Sequence, residues 1–341
     1  MDMYNTADLL AALDISRKPS RFLTQMFFPQ VALSDKAEVA IDVISGNRKL
    51  APLVMPTVQG RPVRARGFST KTVAPAYLKP KTPLLPSDNT VRRAGELFSQ
   101  PLSPAERRML NISDIMVQQY EQIENRIEWM AAQALNSGAI TLVSDDYPET
   151  VIDFGRKSTH TISLASSEKW NASTGKPLTN LDTWAALINA DGGGAVTDVV
   201  MGSSVFSAFR SNPEVVAMYA NQQNPGGPLP SLVPTGFDQN DCTYHGQFGQ
   251  YRIWTTTATY DNDAGVATPY VAAGDVLVIA KGGLNGIVGY GAILDNEVLM
   301  PMAVYPKMWT TDDPSATFIM TQSAPITIPA NPDSVIRATV L

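Results

Sequence analysis

The feature that most constrains the fold is a long amphipathic segment that begins at Ser103. Pro104 follows at the first helical position and Glu106 stands three residues after Ser103, the pattern of a capping box. Apolar residues then recur in steps of three and four along one stripe: Met109, Ile112, Met116, Tyr120, Ile123, Ile127, Met130 and Ala134. Because Gly138 suits a C-terminal cap, the sequence predicts one helix from Pro104 to Asn136, about 50 Å long.

Strand-like segments dominate after this helix, which favours a spine lying across sheet over the alternative, a coiled coil. The predicted strands are Ala139 to Val143, Val151 to Phe154, Val196 to Met201, Tyr251 to Ala258, Val276 to Ala280 and Ile287 to Leu294. Shorter helices are predicted at Leu181 to Ala190, led by Asn180, and at Ser203 to Arg210. The predicted class is α+β.

The segment from Ser45 to about Pro86 is rich in proline, basic residues and β-branched residues. Its prolines, at 52, 56, 62, 75, 80, 83 and 86, exclude a helix and central strands. Regularly placed apolar side chains favour a long projecting β-hairpin over a structureless loop. Residues 1 to 45 carry an amphipathic stretch, Thr6 to Leu13, and an aromatic cluster at Phe22, Phe27 and Phe28, which predicts an arm that docks by apolar contacts.

Charge is distributed unevenly along the 341 residues. Residues 1 to 100 hold 14 Lys and Arg against 8 Asp and Glu, whereas residues 101 to 341 hold 12 against 24. Between Arg48 and Arg93, ten basic side chains accompany one acid, Asp88. Such asymmetry predicts an arm for an acidic partner, either nucleic acid or the acidic remainder of another copy. The charged content of 17% is below the average of about 25%, which favours a surface covered by other protein.

No pattern of residues predicts catalysis, a cofactor or a metal. A single cysteine, Cys242, and two histidines, His160 and His245, cannot build a zinc site rich in histidine or thiolate. The glycine clusters lack the lysine of a phosphate loop. Asp261 to Gly265 departs from a calcium loop at its sixth and twelfth positions, so it is interpreted as a hairpin tip. Neither a signal peptide nor an apolar run long enough to span a membrane is present.

Several stretches resemble the lambda-type major capsid protein family of tailed phages, in collinear order over nearly the whole chain. They are residues 3–12, Phe22-Leu23 with Phe27-Phe28, Pro56 to Gly60, Arg64 to Gly67, Pro75 to Lys81, Asp153 to Arg156, Tyr305 to Trp309, Asp313-Pro314 and Gln322 to Pro325. Little resemblance is found between Gly192 and Asp275.

The resemblance implies the Hong Kong 97-like (HK97-like) capsid fold, with its N-terminal arm, extended loop, spine helix, peripheral domain and axial domain. The corresponding division is an arm at 1–44, an extended loop and return at 45–100, and a spine with the first part of the peripheral domain at 101–180. An axial domain at 181–299 and the rest of the peripheral domain at 300–341 complete it. Subunit-interface roles are predicted for Arg61, Arg64, Arg66, Lys71, Tyr77, Lys79, Phe27 and Phe28.

The resemblance also implies the partners of this chain. Copies of the chain would form pentamers and hexamers, scaffold and portal proteins would take part in assembly, and a trimeric decoration protein would bind outside the shell. The shell would enclose double-stranded DNA without sequence-specific binding, in the virion after assembly in the host cytoplasm. The competing hypothesis is a DNA-binding or packaging protein whose basic arm contacts phosphates. A pI near 5.0 disfavours it, because DNA-binding domains usually have a high pI. A protein compartment of the same fold, encapsulin-type, or another phage structural protein is the second alternative.

Overall fold

One long helix lies among several small sheets and one larger sheet. The computed structural model describes residues 21–44, 68–92, 102–144, 147–222, 242–262, 265–297 and 301–341, with single positions 53, 55, 57 and 59. The helices are α1 (Phe22–Phe27), α2 (Pro104–Ser137), α3 (Pro177–Ala190), α4 (Val205–Ser211), α5 (Pro213–Gln222) and α6 (Lys281–Leu284). Short 3-10 turns occur at Pro86–Asn89, Ser158–His160 and Pro332–Ser334.

The strands form six sheets in the described part of the chain. They are β1 (Gln30–Leu33), β2 (Val39–Ile44), β3 (Phe68–Val73), β4 (Lys81–Leu84), β5 (Ala139–Ser144), β6 (Tyr147–Asp153), β7 (Thr161–Ser163), β8 (Asp198–Met201), β9 (Cys242–Phe248), β10 (Tyr251–Thr256), β11 (Thr259–Asp261), β12 (Ala267–Pro269), β13 (Asp275–Ile279), β14 (Ile287–Tyr290), β15 (Tyr305–Asp312), β16 (Ser315–Gln322), β17 (Pro325–Ile328) and β18 (Val335–Thr339). The class is α+β, as predicted.

The predicted long helix is confirmed as α2, which runs without a break and is one residue longer than expected. Ser103 Oγ accepts from the Glu106 amide at 3.3 Å, and the Glu106 carboxylate accepts from the Ser103 amide at 2.8 Å. Gly138 ends the helix with a φ of 71°, a left-handed conformation that glycine adopts without strain. Met109, at the start of the predicted stripe, is exposed, whereas Ile112 and Met116 further along it are buried.

The six-stranded sheet, in the order β7-β18-β13-β8-β10-β9, separates two apolar cores. Successive side chains of a strand point to opposite faces. Leu277 and Ile279 of β13 pack with the core around α1, α2, β5 and β14, whereas Val276 and Val278 pack with the core beneath α3 and α4. Because both faces of the sheet are covered, every residue of β13 and β8 is buried, and apolar residues follow one another in these strands without alternating with polar ones.

Several predicted boundaries are corrected, among them the start of the strand expected at Val151, which the structure places at Tyr147. The helix expected to follow Asn180 begins at Pro177, because the Glu214 carboxylate of α5 accepts from the amides of Leu178 and Thr179 at 2.8 and 3.3 Å. The strand expected to reach Leu294 ends at Tyr290, opposite Pro325, and one further backbone bond follows, from the Gly291 amide to the Ala324 carbonyl at 2.9 Å. The predicted hairpin tip near Asp261 is confirmed, since β11 and β12 pair across it.

Two smaller sheets position the surfaces discussed below. β15, β16 and β4 form an antiparallel sheet, and α2 packs on it through a small cluster of Leu84, Ile112, Met116 and Ile319. β2 and β3 pair antiparallel from Val39 opposite Val73 to Ile44 opposite Phe68. The first strand of the hairpin that includes the predicted extended loop therefore begins at Val39, before the predicted start of that loop at Ser45. The predicted domain boundaries stay predictions.

Candidate assembly surfaces

Of the four basic residues predicted at the tip of the extended hairpin, Lys71 lies instead in the described base of the hairpin. Arg61, Arg64 and Arg66 fall outside the described residues, as does the predicted amphipathic stretch from Thr6 to Leu13. The backbone of Lys71 is described in β3, opposite Ile41 of β2. The antiparallel pairing of β2 and β3 is what a projecting hairpin requires at its base.

Tyr77 and Lys79 lie where the return segment of the hairpin joins the body of the subunit. The Tyr77 hydroxyl donates to Gln322 Oε1 at 2.8 Å and accepts from the Leu294 amide at 3.0 Å. Burial raises the pKa of Tyr77, so it stays a neutral donor. The Lys79 ammonium lies 4.6 Å from the centre of the Tyr77 ring, on its face, as in a cation–π pair. The segment is thus fixed on the end of β16, with Lys79 at the surface.

An ion group beneath this segment joins the loop after β14 to β15. Lys307 Nζ lies 3.1 and 3.2 Å from the two oxygens of Asp295 and 3.3 Å from Glu297 Oε2. Burial opposes the charge of Lys307, but its bonds to Asp295 and Glu297 outweigh burial and raise its pKa. Gln322 Nε2 also donates to Asp295 at 3.0 Å. Gln322 therefore links this group to Tyr77 and the base of the hairpin.

Lys81 is held by its own chain and does not extend freely from the basic segment. Its ammonium lies 4.1 Å from the ring centre of Phe318 and 5.1 Å from that of Trp309. The two rings stack on neighbouring strands β16 and β15 with centroids 5.6 Å apart. Exposed cation–π pairs contribute about 0.5–1 kcal/mol, so this contact helps hold β4 against the β15–β16 hairpin.

The arm helix α1 is docked on the spine through two buried acids one turn apart on α2. Glu128 accepts from the Leu23 amide at 2.7 Å, from the Thr24 amide at 2.9 Å and from the Thr24 hydroxyl at 2.6 Å. Glu124 forms an ion pair with Arg21. Burial raises the pKa of Glu128, more than these hydrogen bonds lower it. The first turn of α1 and Arg21 are therefore held on the spine.

Phe27 and Phe28 are each 1% exposed and belong to the core around α1 and α2. In this structure their side chains contact the subunit itself, so any interface role would act through the residues that cover them. That role stays a prediction, as it does for the basic residues and Tyr77.

A second buried polar group was not predicted from the sequence. Gln119 of α2 donates to Thr82 Oγ1 and to the Ile319 carbonyl, both at 3.0 Å, and accepts from Thr321 Oγ1 at 2.7 Å. It joins the spine to the β15–β16–β4 sheet. The signal available in the sequence was weak: a glutamine beside the apolar stripe, with two of its three partners about 200 positions away.

The titratable groups that could suggest chemistry serve structural contacts instead. His160 is buried between the Val335 carbonyl at 3.2 Å and Asp191 at 2.9 Å. His245 stacks on Phe206, and burial lowers its pKa. In the described part of the chain, no group of three or more metal-binding side chains converges, and no described helix is long and apolar enough to cross a membrane.

Comparison with known proteins shows which family the sequence of this chain matches. The model of the family described as "Phage major capsid protein E" matches residues 5–340. The chain is 28% identical to the major capsid protein of Enterobacteria phage P21 and 29% identical to that of Escherichia phage lambda, each over 98% of both chains.

Solved structures agree in fold. A prophage protein of Escherichia coli CFT073, described as a capsid protein, aligns over 99% of both chains with a TM-score of 0.76 and 23% identity. The capsid protein of cyanophage P-SCSP1u aligns over 95% of this chain and 89% of its own with a TM-score of 0.50 and 12% identity. These matches confirm the HK97-like capsid fold that the resemblance implied. With nearly the whole chain matched, the protein belongs to the phage major capsid protein E family.

Proposed function

We propose that this chain is the repeated subunit of the icosahedral head shell of a tailed phage, self-assembling into pentamers and hexamers around double-stranded DNA. The observation that carries the proposal is the family match over residues 5–340. An encapsulin-type compartment is not favoured, because the relatives that match along the whole chain are named major capsid proteins. We expect the subunit to have no catalytic activity and to need no cofactor.

The basic tip of the extended hairpin is proposed to bind the acidic body of a neighbouring copy, not DNA. The segment from Arg48 to Arg93 contains Arg61, Arg64, Arg66 and Lys71 and one acid, Asp88. The Asp88 carboxylate accepts a hydrogen bond from the Leu85 amide at 2.9 Å. Residues 101 to 341 carry twice as many acids as bases. Exposed ion pairs contribute only about 0–1 kcal/mol each, but a shell repeats every interface many times.

The test is charge reversal at the tip. Arg64→Glu with Arg66→Glu is expected to abolish closed shells in electron micrographs of purified protein while leaving the subunit folded, because like charges then meet at the interface. The matched control, Arg64→Lys with Arg66→Lys, keeps the charge and is expected to assemble, with an efficiency that falls as salt rises. Normal shells from the glutamate variant would refute the proposed role of the tip.

Further partners follow from the resemblance and belong to the same proposal. A trimeric decoration protein would bind outside the shell near the N-terminal arm and the extended loop, and scaffold and portal proteins would act during assembly. The subunit would be found in the virion after assembly in the host cytoplasm. DNA would be enclosed without sequence-specific contacts, in agreement with a formal net charge of −6.

A further inference from the structure

A small pocket lies between the return segment of the extended hairpin, the spine helix and the β5–β6 hairpin. Its volume is about 220 Å³, and its walls include Ala76, Leu78, Leu142 and Val143, with Tyr77 and Arg126 as polar members. Pockets for small molecules and cofactors usually measure about 300–1,000 Å³, so this one fits a side chain or two better than a ligand. Val143 is 55% exposed and extends the apolar wall toward solvent.

Arg126 gives the pocket a fixed cation. Its guanidinium lies 5.0 Å from the centre of the Trp129 ring, one turn further along α2. It forms no ion pair with any residue that the structure describes. A guanidinium stacked on an aromatic ring keeps its donors free for a carboxylate, and stacking reduces the entropy lost on binding. The pocket therefore fits an aliphatic side chain that stands beside an acid.

The β11–β12 hairpin presents that combination. Val266 is 58% exposed, and the exposed carboxylate of Asp261 on the opposite strand has no ion pair among the described residues. Residues 259–269 contain no basic residue. The tip is held in shape, since Asn262 receives hydrogen bonds from the Gly265 amide at 2.8 Å and the Val266 amide at 2.9 Å. At its base the rings of Tyr260 and Tyr270 contact each other at a tilt, with centroids 5.2 Å apart.

We propose that the β11–β12 tip of one copy occupies the Arg126 pocket of a neighbouring copy, with Val266 against the apolar wall and Asp261 paired with Arg126. The inference rests on the proposed self-assembly. In the described structure Asp261 and Arg126 do not pair, although the Tyr270 hydroxyl after β12 donates to the Asn125 carbonyl of α2. Because the tip and the pocket consist of different residues, a contact between copies is head-to-tail. Head-to-tail contacts close into rings when the rotation between copies allows it, as a pentamer or hexamer requires.

Charge exchange tests the pairing. Arg126→Glu alone and Asp261→Lys alone are each expected to raise the protein concentration needed for assembly about tenfold or more, because each brings like charges together. The double variant is expected to assemble within about threefold of the wild type, since the pair is restored with exchanged signs. Circular dichroism and thermal unfolding of unassembled subunits select variants that remain folded.

The control for net charge is Arg126→Glu combined with Asp313→Lys, which places the new lysine at the β15–β16 turn. It should not restore assembly; equal rescue would show that only net charge matters and would overturn the pairing. Normal assembly of Arg126→Glu, or failure of the folded exchange variant to recover, would also overturn it. Absence of shells from the wild type would instead refute the proposed function, so the two failures are distinguishable.

A second measurement does not depend on charge. Val266→Cys combined with Val143→Cys, treated with a short thiol cross-linker, is expected to give a ladder of covalent oligomers on denaturing gels. Each single variant should give far less of that ladder, since the native Cys242 is buried. Assembled shells that yield no ladder beyond the single variants would contradict the contact.

Discussion

At the scale of single residues, Gly286 decides whether the arm can dock. A Cβ placed on Gly286 would lie 2.2 Å from the Phe27 carbonyl oxygen and 2.7 Å from Cδ1 of Phe28. Because the nearer atom is backbone, it cannot move aside as a flexible side chain could. The two buried phenylalanines and the loop before β14 therefore approach each other at a distance that only glycine permits.

We expect Gly286→Ala to lower the free energy of unfolding by about 1–3 kcal/mol, the range for overpacked sites, when measured by urea denaturation of unassembled subunits. Gly282→Ala is the control in the preceding helix α6, because no atom outside that helix lies within 4 Å of its Cβ position, and it should destabilise by no more than about 0.5 kcal/mol. Equal effects of the two substitutions would contradict the close approach.

At the scale of elements, the contact of α1 with α2 is sensitive to pH through Glu128. Its pKa is raised in the folded subunit, so the folded state binds more protons than the unfolded state between the two pKa values. The contribution of Glu128 to the free energy of unfolding is consequently highest below its unfolded pKa and decreases as pH rises through the folded pKa.

Glu128→Gln removes this titration while keeping a polar side chain of similar size. We expect the stability of the wild type relative to the variant to decrease as pH is raised above the ordinary glutamate range. The comparison is made by urea denaturation of both proteins at a series of pH values. A stability difference that is constant or increases with pH would contradict the raised pKa.

Local signals made the spine predictable, and distant contacts made its polar partners unpredictable. The capping box at Ser103 and the glycine cap at Gly138 act within a few residues, so the sequence contains both sides of each interaction. Glu128 bonds to residues more than 100 positions away and Gln119 to residues about 200 positions away. Periodicity assigned both to a polar face, because it carries no information about which distant polar group arrives there.

The difference between local signals and distant contacts also explains which features of the assembly surfaces could be predicted from the sequence. The excess of basic residues in the extended loop follows from composition, whereas the intrachain contacts of Lys81 with Phe318 and Trp309 depend on the pairing of β4 with β16. The Arg126 pocket is formed by three segments separated by up to about seventy positions. Only the folded chain brings its apolar wall and its cation together.

At the scale of the whole molecule, we expect the N-terminal arm and the subunit body to have separable roles. Deleting Met1 to Leu13 is expected to weaken binding of a trimeric decoration protein more than it weakens shell formation, because α1, which follows the deleted segment, is packed in the described core. Binding is measured by sedimentation of preassembled shells with the decoration protein. Unchanged binding by truncated shells would count against a decoration site at the arm.

The position of β18 in the larger sheet links shell quality to protein synthesis. β18 lies between β7 and β13, and the side chains of Val335, Ile336 and Ala338 are buried. A nascent chain that stops before residue 335 leaves β13 with an open edge and both cores uncovered. Since chains emerge from the ribosome N-terminus first, the sheet can close only after this strand is made. We therefore expect prematurely terminated polypeptides to lack a closed sheet and to be left out of the growing shell without a separate inspection step.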